Sequence, residues 1–234
     1  VAIDPSSGVV SVVQYASLQH PDATSGDEAI DLGGLVRAVL TVTDGDGDQA
    51  VSSVDIGEMI RFEDDAPSAV IQLNEAGWVR HDETAGLQTG SDADDTDNGA
   101  VAALFDGVAN VGSDLGAMGY AQSTSPVVDS SASDVGQDDE GATSVLSLAV
   151  VGGNGVDSGL KTTDGLTIVL SIEGELVVGR ILDGPQAGTA AFAVSLGVDG
   201  TLSVAQYVSL QHPDGGNPND AVDLAGKVQA VFTL

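Results

Sequence analysis

The residues best suited to chemistry are carboxylates set one residue apart, Asp44-Gly45-Asp46-Gly47-Asp48. Alternate aspartates with glycine between them put three hard oxygen ligands on one side of a tight loop, a donor set that suits Ca²⁺. Asp55 stands at the twelfth position counted from Asp44, the slot of the last EF-hand ligand. Gln49 occupies the slot where the EF-hand needs glycine, and strand-forming residues flank the loop. The expectation is therefore an aspartate loop of the Ca²⁺ type between strands, with a plain charged hairpin as the alternative. Glu63-Asp64-Asp65, ahead of Pro67, forms a second cluster. Three adjacent carboxylates repel one another unless a cation bridges them. An ion shared with Asp82 or Glu83 would stiffen a joint between domains. Asp92, Asp94, Asp95 and Asp97 form the densest acidic run, and Asp138, Asp139 and Glu140 another. Each is a candidate ligand source for Ca²⁺, or else a solvated loop.

Other chemistry finds little support. Gly152-Gly153-Asn154-Gly155-Val156-Asp157 fits the opening of the Ca²⁺-binding nonapeptide, but Gly159 replaces the large apolar residue and no second copy follows. A stack of copies is needed to bury that apolar row, so the stretch reads as a hairpin turn. His20 and His212 precede proline in equivalent contexts and read as structural, and His81 stands alone. Without cysteine, and without a serine, histidine and acid grouping in supporting context, no nucleophile is visible. Paired carboxylates for glycoside hydrolysis would lack sugar-stacking platforms, aromatics being 3% of residues. An enzyme is not expected.

The charge balance limits partners further. There are 36 acidic residues against 6 Lys and Arg, a formal net charge of −30. Nucleic acid and anionic membrane surfaces, which need basic patches, are not expected partners. A folded chain of this charge must offset its own repulsion with external salt or bound divalent cations. The missing disulfides point the same way, since metal is the usual substitute for such staples. No apolar run approaches the ~18 residues of a membrane-spanning helix, and no N-terminal signal peptide is visible.

The elements that must position these acids are strands. Gln14-Tyr15-Ala16-Ser17-Leu18-Gln19-His20-Pro21-Asp22 returns as Gln206-Tyr207-Val208-Ser209-Leu210-Gln211-His212-Pro213-Asp214, 192 residues later. Asp31, Leu32, Gly34, Val36 and Thr41 recur at the same offset as Asp223, Leu224, Gly226, Val228 and Thr233. A constant offset means tandem copies, each long enough to be a domain. Residues 1–66 read as the C-terminal part of one copy and 67–234 as the next, which stops before equivalents of 43–66. Strands are predicted over 9–13, 35–42, 50–56, 69–73, 145–151, 166–172, 175–182, 189–196, 201–206 and 227–234. Tyr15–His20 is predicted as one helical turn, stopped by Pro21. Residues 90–142 read as irregular, with short helical turns near 100–105 and 114–118. Many short strands with glycine turns argue an all-β, antiparallel β-sandwich, Ig-like in the loose sense, with long acidic loops. An unpaired sheet edge would receive residues 49–56, from the same chain or from a neighbour.

Taken in order, several motifs resemble one family. They are Asp82-Glu83-Thr84-Ala85-Gly86-Leu87-Gln88, Asp157–Gly165, Val178-Gly179-Arg180, Gln206-Tyr207 with Leu210–Asp214, Thr41–Asp48 and Phe62–Pro67. The chain resembles the repeat called T1SS-143, or DUF5801. The resemblance implies a giant RTX-type adhesin exported by type I secretion to the surface of a Gram-negative bacterium. There, tandem Ca²⁺-stiffened domains would form an extender between the cell and an adhesive tip, each packing on its neighbouring repeats. The competing expectations are a module that binds sugar or protein through residues 90–142, and a filament subunit that exchanges strands with another copy.

Overall fold

The computed structural model describes residues 1–234 except 23, 89, 91–92, 115–117, 138 and 218–219. The chain forms two units, Val1–Ser68 with Asp134–Ala142, and Ala69–Ser133 with Thr143–Leu234. In the first, three antiparallel pairs form. The strand β1 (Ala2–Ile3) pairs with β2 (Val10–Ser11), β3 (Ala29–Asp31) lies between them and β4 in sequence, and β4 (Arg37–Thr43) pairs with β5 (Gln49–Asp55). The third pair joins β3 to β6 (Arg61–Glu63). β4 and β5 meet over seven residue pairs from Arg37↔Asp55 to Thr43↔Gln49, so the aspartate loop is the tip of a hairpin. Val39, Leu40, Val42, Val51 and Val54 on this hairpin are all exposed. Ile60 is the one buried apolar side chain of this unit among the described residues.

The second unit holds the core. Its elements are β7 (Gln72–Leu73), α1 (Gly99–Ala103), β8 (Gly119–Gln122), β9 (Val128–Asp129), β10 (Val145–Val150), β11 (Val156–Lys161), β12 (Thr167–Glu173), β13 (Leu176–Ile181), β14 (Ala190–Leu196), β15 (Leu202–Gln206) and β16 (Val228–Thr233). Six of these make one antiparallel sheet in the order β11-β12-β13-β14-β15-β8. β10 and β16 pair separately, and β10 lies against β12, β13 and β14, which gives the two layers of a sandwich. Ala190–Ser195 are buried without a break, so β14 is covered on both faces. Ile168, Leu170, Val177, Val178 and Ile181 are also excluded from water. Each such side chain contributes about 1.5–3 kcal/mol of burial free energy. The α1 residue Val101 and the following Phe105 join this core, and Phe105 stacks on Tyr120 of β8 with centroids 6.1 Å apart.

Turn chemistry sets the registers. β12 and β13 pair as far as Glu173↔Leu176, leaving Gly174-Glu175 as the loop. Gly174 has φ +64°, as the first loop position of a type II′ hairpin requires. The internal repeat is visible in backbone detail. Leu35 N–H donates to Leu32 O at 2.9 Å, and Lys227 N–H to Leu224 O at 3.0 Å. Gly34 and Gly226 within these turns have φ of +74° and +72°. The amides before them are held by Asp31 and Asp223, at 2.8 and 2.9 Å.

The fold is all-β, as the sequence pattern predicts, with three local differences. Tyr15–His20 forms no helical turn. The Gln14 side-chain amide donates to Ala16 O instead, as Gln206 does to Val208 O, which holds the backbone open ahead of the proline. Val156–Lys161 is a strand rather than turn, and the three positive-φ glycines before it, Gly152, Gly153 and Gly155, make the reversal. β8 lies within the stretch expected to be irregular and extends the main sheet beside β15. The helical turn expected near 100–105 is α1, capped by Asn98 Oδ1 accepting from Ala100 N at 3.0 Å. That expected at 114–118 lies mostly outside the described residues.

Candidate metal site and a buried acid network

The β4–β5 hairpin brings Asp44, Asp46 and Asp48 together, each offering a carboxylate oxygen within 4.8 Å of the others. Asp44 closes the loop. Its Oδ1 accepts from Gly47 N at 3.1 Å and from Asp48 N at 2.9 Å, while Asp44 N donates to Asp48 O at 3.0 Å. The adjacent Asp46 carboxyl and the Asp48 amide hold the Asp44 carboxyl below the usual aspartate range. Gly47 takes φ +100°, a conformation that favours glycine and lets the two flanking acids turn to the same side. All three acids are exposed. The donor set is oxygen only, anionic and open to water, which fits a hard divalent cation with solvent completing its shell.

The remaining sequence candidates divide by unit. Asp55 is not in this trio. It sits at the far end of β5, where its Oδ1 accepts from Gly57 N at 2.9 Å. Glu63 ends β6 and is exposed, and Asp64 turns back to accept from Asp65 N at 2.9 Å. Asp139 and Glu140 are exposed. Asp92 and Asp138 lie outside the described residues. In the second unit Asp97 is exposed, and Asp94 Oδ2 accepts from Arg80 N at 3.0 Å.

Asp82, Glu83 and Asp95 belong to a network that stitches the Asp82–Gln88 segment into the second unit. The side chains of Asp95 and His81 are 4% and 7% exposed, with Asp95 Oδ1 2.8 Å from His81 Nδ1. Asp95 also accepts from Asp82 N at 3.1 Å and Gln88 N at 3.2 Å, so both its oxygens serve protein donors. Asp82 in turn accepts from Thr84 N at 2.7 Å, and the Thr84 side chain and amide lower its pKa. Glu83 Oε1 accepts from the side-chain amide of Gln206 and, at 2.8 Å, from Leu210 N, with His212 Nε2 3.9 Å away. Tyr207 is buried beside them, without a hydrogen-bond partner for its hydroxyl among the described residues. Burial pushes that hydroxyl well above the usual tyrosine range. An open groove of about 490 Å³ lies over His81, Asp95, Tyr120 and Tyr207. The sequence offered His81 and Gln206 no visible role, because their partners are 14 and 123 residues away.

Against protein families, the chain matches the model described as "Domain of unknown function (DUF5801)" over residues 1–57 and 78–234. The chain belongs to the DUF5801 family. The two matched stretches carry the aspartate loop and the Asp82–Gln88 segment, while Glu63-Asp64-Asp65 falls between them. No curated protein and no solved structure matches this DUF5801 chain.

Proposed function

We propose that this chain is a structural spacer, a tandem DUF5801 repeat of a large secreted bacterial adhesin whose stiffness depends on Ca²⁺. The observation that carries this proposal is the hairpin tip that gathers three carboxylates within 4.8 Å in a chain of net charge −30. A cation there offsets repulsion that the fold otherwise bears, and ligand that binds only the native state stabilises it by mass action. The duplicated turn at Leu32–Leu35 and Leu224–Lys227 supports the tandem part, since two copies of one backbone motif are what an array contains. Asp44, Asp46 and Asp48 would hold the ion, and its role is to fix the β4–β5 hairpin. The spacer works outside the cell, with neighbouring repeats as its partners.

The test is thermal unfolding in Ca²⁺, in EDTA and in Mg²⁺. Saturation at about 100 times Kd is expected to add about 2.7 kcal/mol. Mg²⁺ demands stricter octahedral geometry and keeps its waters, so it should give a much smaller rise. Equal unfolding temperatures in Ca²⁺ and EDTA would remove the calcium half of the proposal.

A further inference from the structure

The second unit carries a groove whose chemistry has no part in a spacer. It runs between the 82–87 segment, α1, the start of β8 and the end of β15, and holds about 490 Å³. That volume lies within the roughly 300–1,000 Å³ of small-molecule sites. Ala85, Leu87, Ala102 and Met118 supply apolar wall. Leu87 and Met118 are 53% and 45% exposed, so an apolar occupant would cover surface that the unit itself leaves in water.

Tyr207 is the residue that calls for a ligand. Ala205 pairs with Tyr120 across β15 and β8. Side chains alternate along a strand, so Tyr207, just past the end of β15, returns to the Tyr120 face. Gln206 between them reaches Glu83 on the other. Tyr207 is 4% exposed, and its hydroxyl is the one buried side-chain oxygen without a hydrogen-bond partner among the described residues. A hydroxyl sealed from water in this way costs free energy until something bonds to it. Burial, with Tyr120 and Asp106 acting the same way, keeps it protonated and neutral, with lone pairs to offer.

The surroundings decide the sign of the charge. Asp82, Asp95 and Asp97 line the groove, and among the described residues neither Lys nor Arg does. The Thr84 side chain and amide hold the Asp82 carboxyl below the usual aspartate range. Asp95 is already engaged by His81 and by the Asp82 and Gln88 amides, so it contributes charge and not a free acceptor. The rings of Tyr120 and Tyr207 favour the same partner, since the face of an aromatic ring attracts cations.

We infer that this groove binds a small organic cation, a protonated amine carried on an apolar body. The ammonium donates to Tyr207 Oη and faces the Asp82 and Asp97 carboxylates, while the apolar body covers Leu87 and Met118. A neutral or anionic molecule of the same shape satisfies the walls but not the charge. Neither the spacer proposal nor Ca²⁺ enters this binding.

The test uses the full chain in EDTA, with phenethylamine, protonated at neutral pH, as the probe. The chain has two methionines, Met118 in the groove and Met59 in the first unit, so isotope-labelled methyl groups report the site and a control in one NMR spectrum. The Met118 methyl should shift saturably, with a Kd of about 1 mM for a ligand this small, and the Met59 methyl should stay in place. Phenylethanol and phenylacetate, which carry the same ring on a neutral or anionic chain, should bind about tenfold more weakly or worse. Tyr207→Phe removes only a hydroxyl without a partner, so the unfolding temperature should hold. Its affinity for phenethylamine should fall about tenfold or more, as loss of a hydrogen bond to a charged group does. The D44N/D46N/D48N chain should bind the amine as the parent does. No saturable Met118 shift up to about 10 mM amine, equal binding of phenylethanol, undiminished binding by Tyr207→Phe, or loss of binding in the hairpin variant would each overturn the inference.

Discussion

Arg180 shows how single side chains hold the main sheet. Its Nε and Nη2 donate to Glu173 Oε1 and Oε2 at 2.6 and 2.7 Å. Its Nη1 reaches Ala109 O at 3.0 Å and Gly188 O at 2.8 Å. One guanidinium thus ties β12 and β13 to the segment that leads into β14 and to the loop after α1, which bridges the start of β14 at Val111↔Ala190. Replacing it with methionine keeps the aliphatic stem but strands a carboxylate and two carbonyls. Because the pair keeps partial contact with water, the expected cost is about 2 kcal/mol rather than that of a fully buried pair, read as a lower urea midpoint. The pair also predicts a pH dependence. Hydrogen bonds from Arg180 lower the Glu173 pKa from 4.5. The resulting stability is full above that ordinary value and is lost as pH falls through the depressed one. Glu173→Gln should therefore flatten the acid limb of the stability profile and leave neutral-pH unfolding cooperative. Asp95 makes a complementary case. As a buried acceptor of the Asp82 and Gln88 amides and of His81, it should resist removal: Asp95→Ala is expected to cost about 2–3 kcal/mol in the same urea assay.

At the scale of the element, close approach across strands decides which residues are permitted. Gly179 on β13 lies opposite Phe192 on β14, and a Cβ added there would clash with the outer edge of the Phe192 ring. Gly179→Ala is expected to destabilise by about 1–3 kcal/mol, the usual cost of overpacking, with loss of near-ultraviolet signal from the displaced ring. The Val178-Gly179-Arg180 triplet is thus explained by packing and by the Arg180 bonds. The long strands were legible in the sequence because their apolar runs stop at glycine turns, as Val145–Val150 and Ala190–Leu196 do. β8 and β11 were not, since Gly119–Gln122 and Asp157-Ser158-Gly159 carry small and polar residues that offer no apolar alternation. Their neighbours supply the order: Ser158 Oγ is buried and donates to Ile168 O at 2.7 Å. The aspartate trio was legible because its members are two residues apart. The Glu83–Gln206 contact was not, because only the folded sheet brings those segments together.

For the whole molecule, the question is what offsets a net charge of −30. Two agents act differently. Monovalent salt screens every pair of exposed charges without regard to position, and at about 1 M the screening length falls to ~3 Å. A divalent ion instead acts where carboxylates already converge, and its effect saturates when that place is filled. In EDTA, added NaCl should raise the unfolding temperature gradually, with no plateau at low concentration. Calcium should act at far lower concentration and level off. Replacing Asp44, Asp46 and Asp48 together by asparagine separates the two, because it removes three repelling charges and the ligands at once. Without calcium the variant should unfold at a higher temperature than the parent. With calcium the order should invert, as the parent gains the binding free energy and the variant does not. Asparagine keeps a side-chain oxygen at position 44 for the Gly47 and Asp48 amides, so the turn itself survives the substitution. Failure of the curves to cross would mean that the hairpin tip contributes only repulsion, and that the fold tolerates its charge by salt alone.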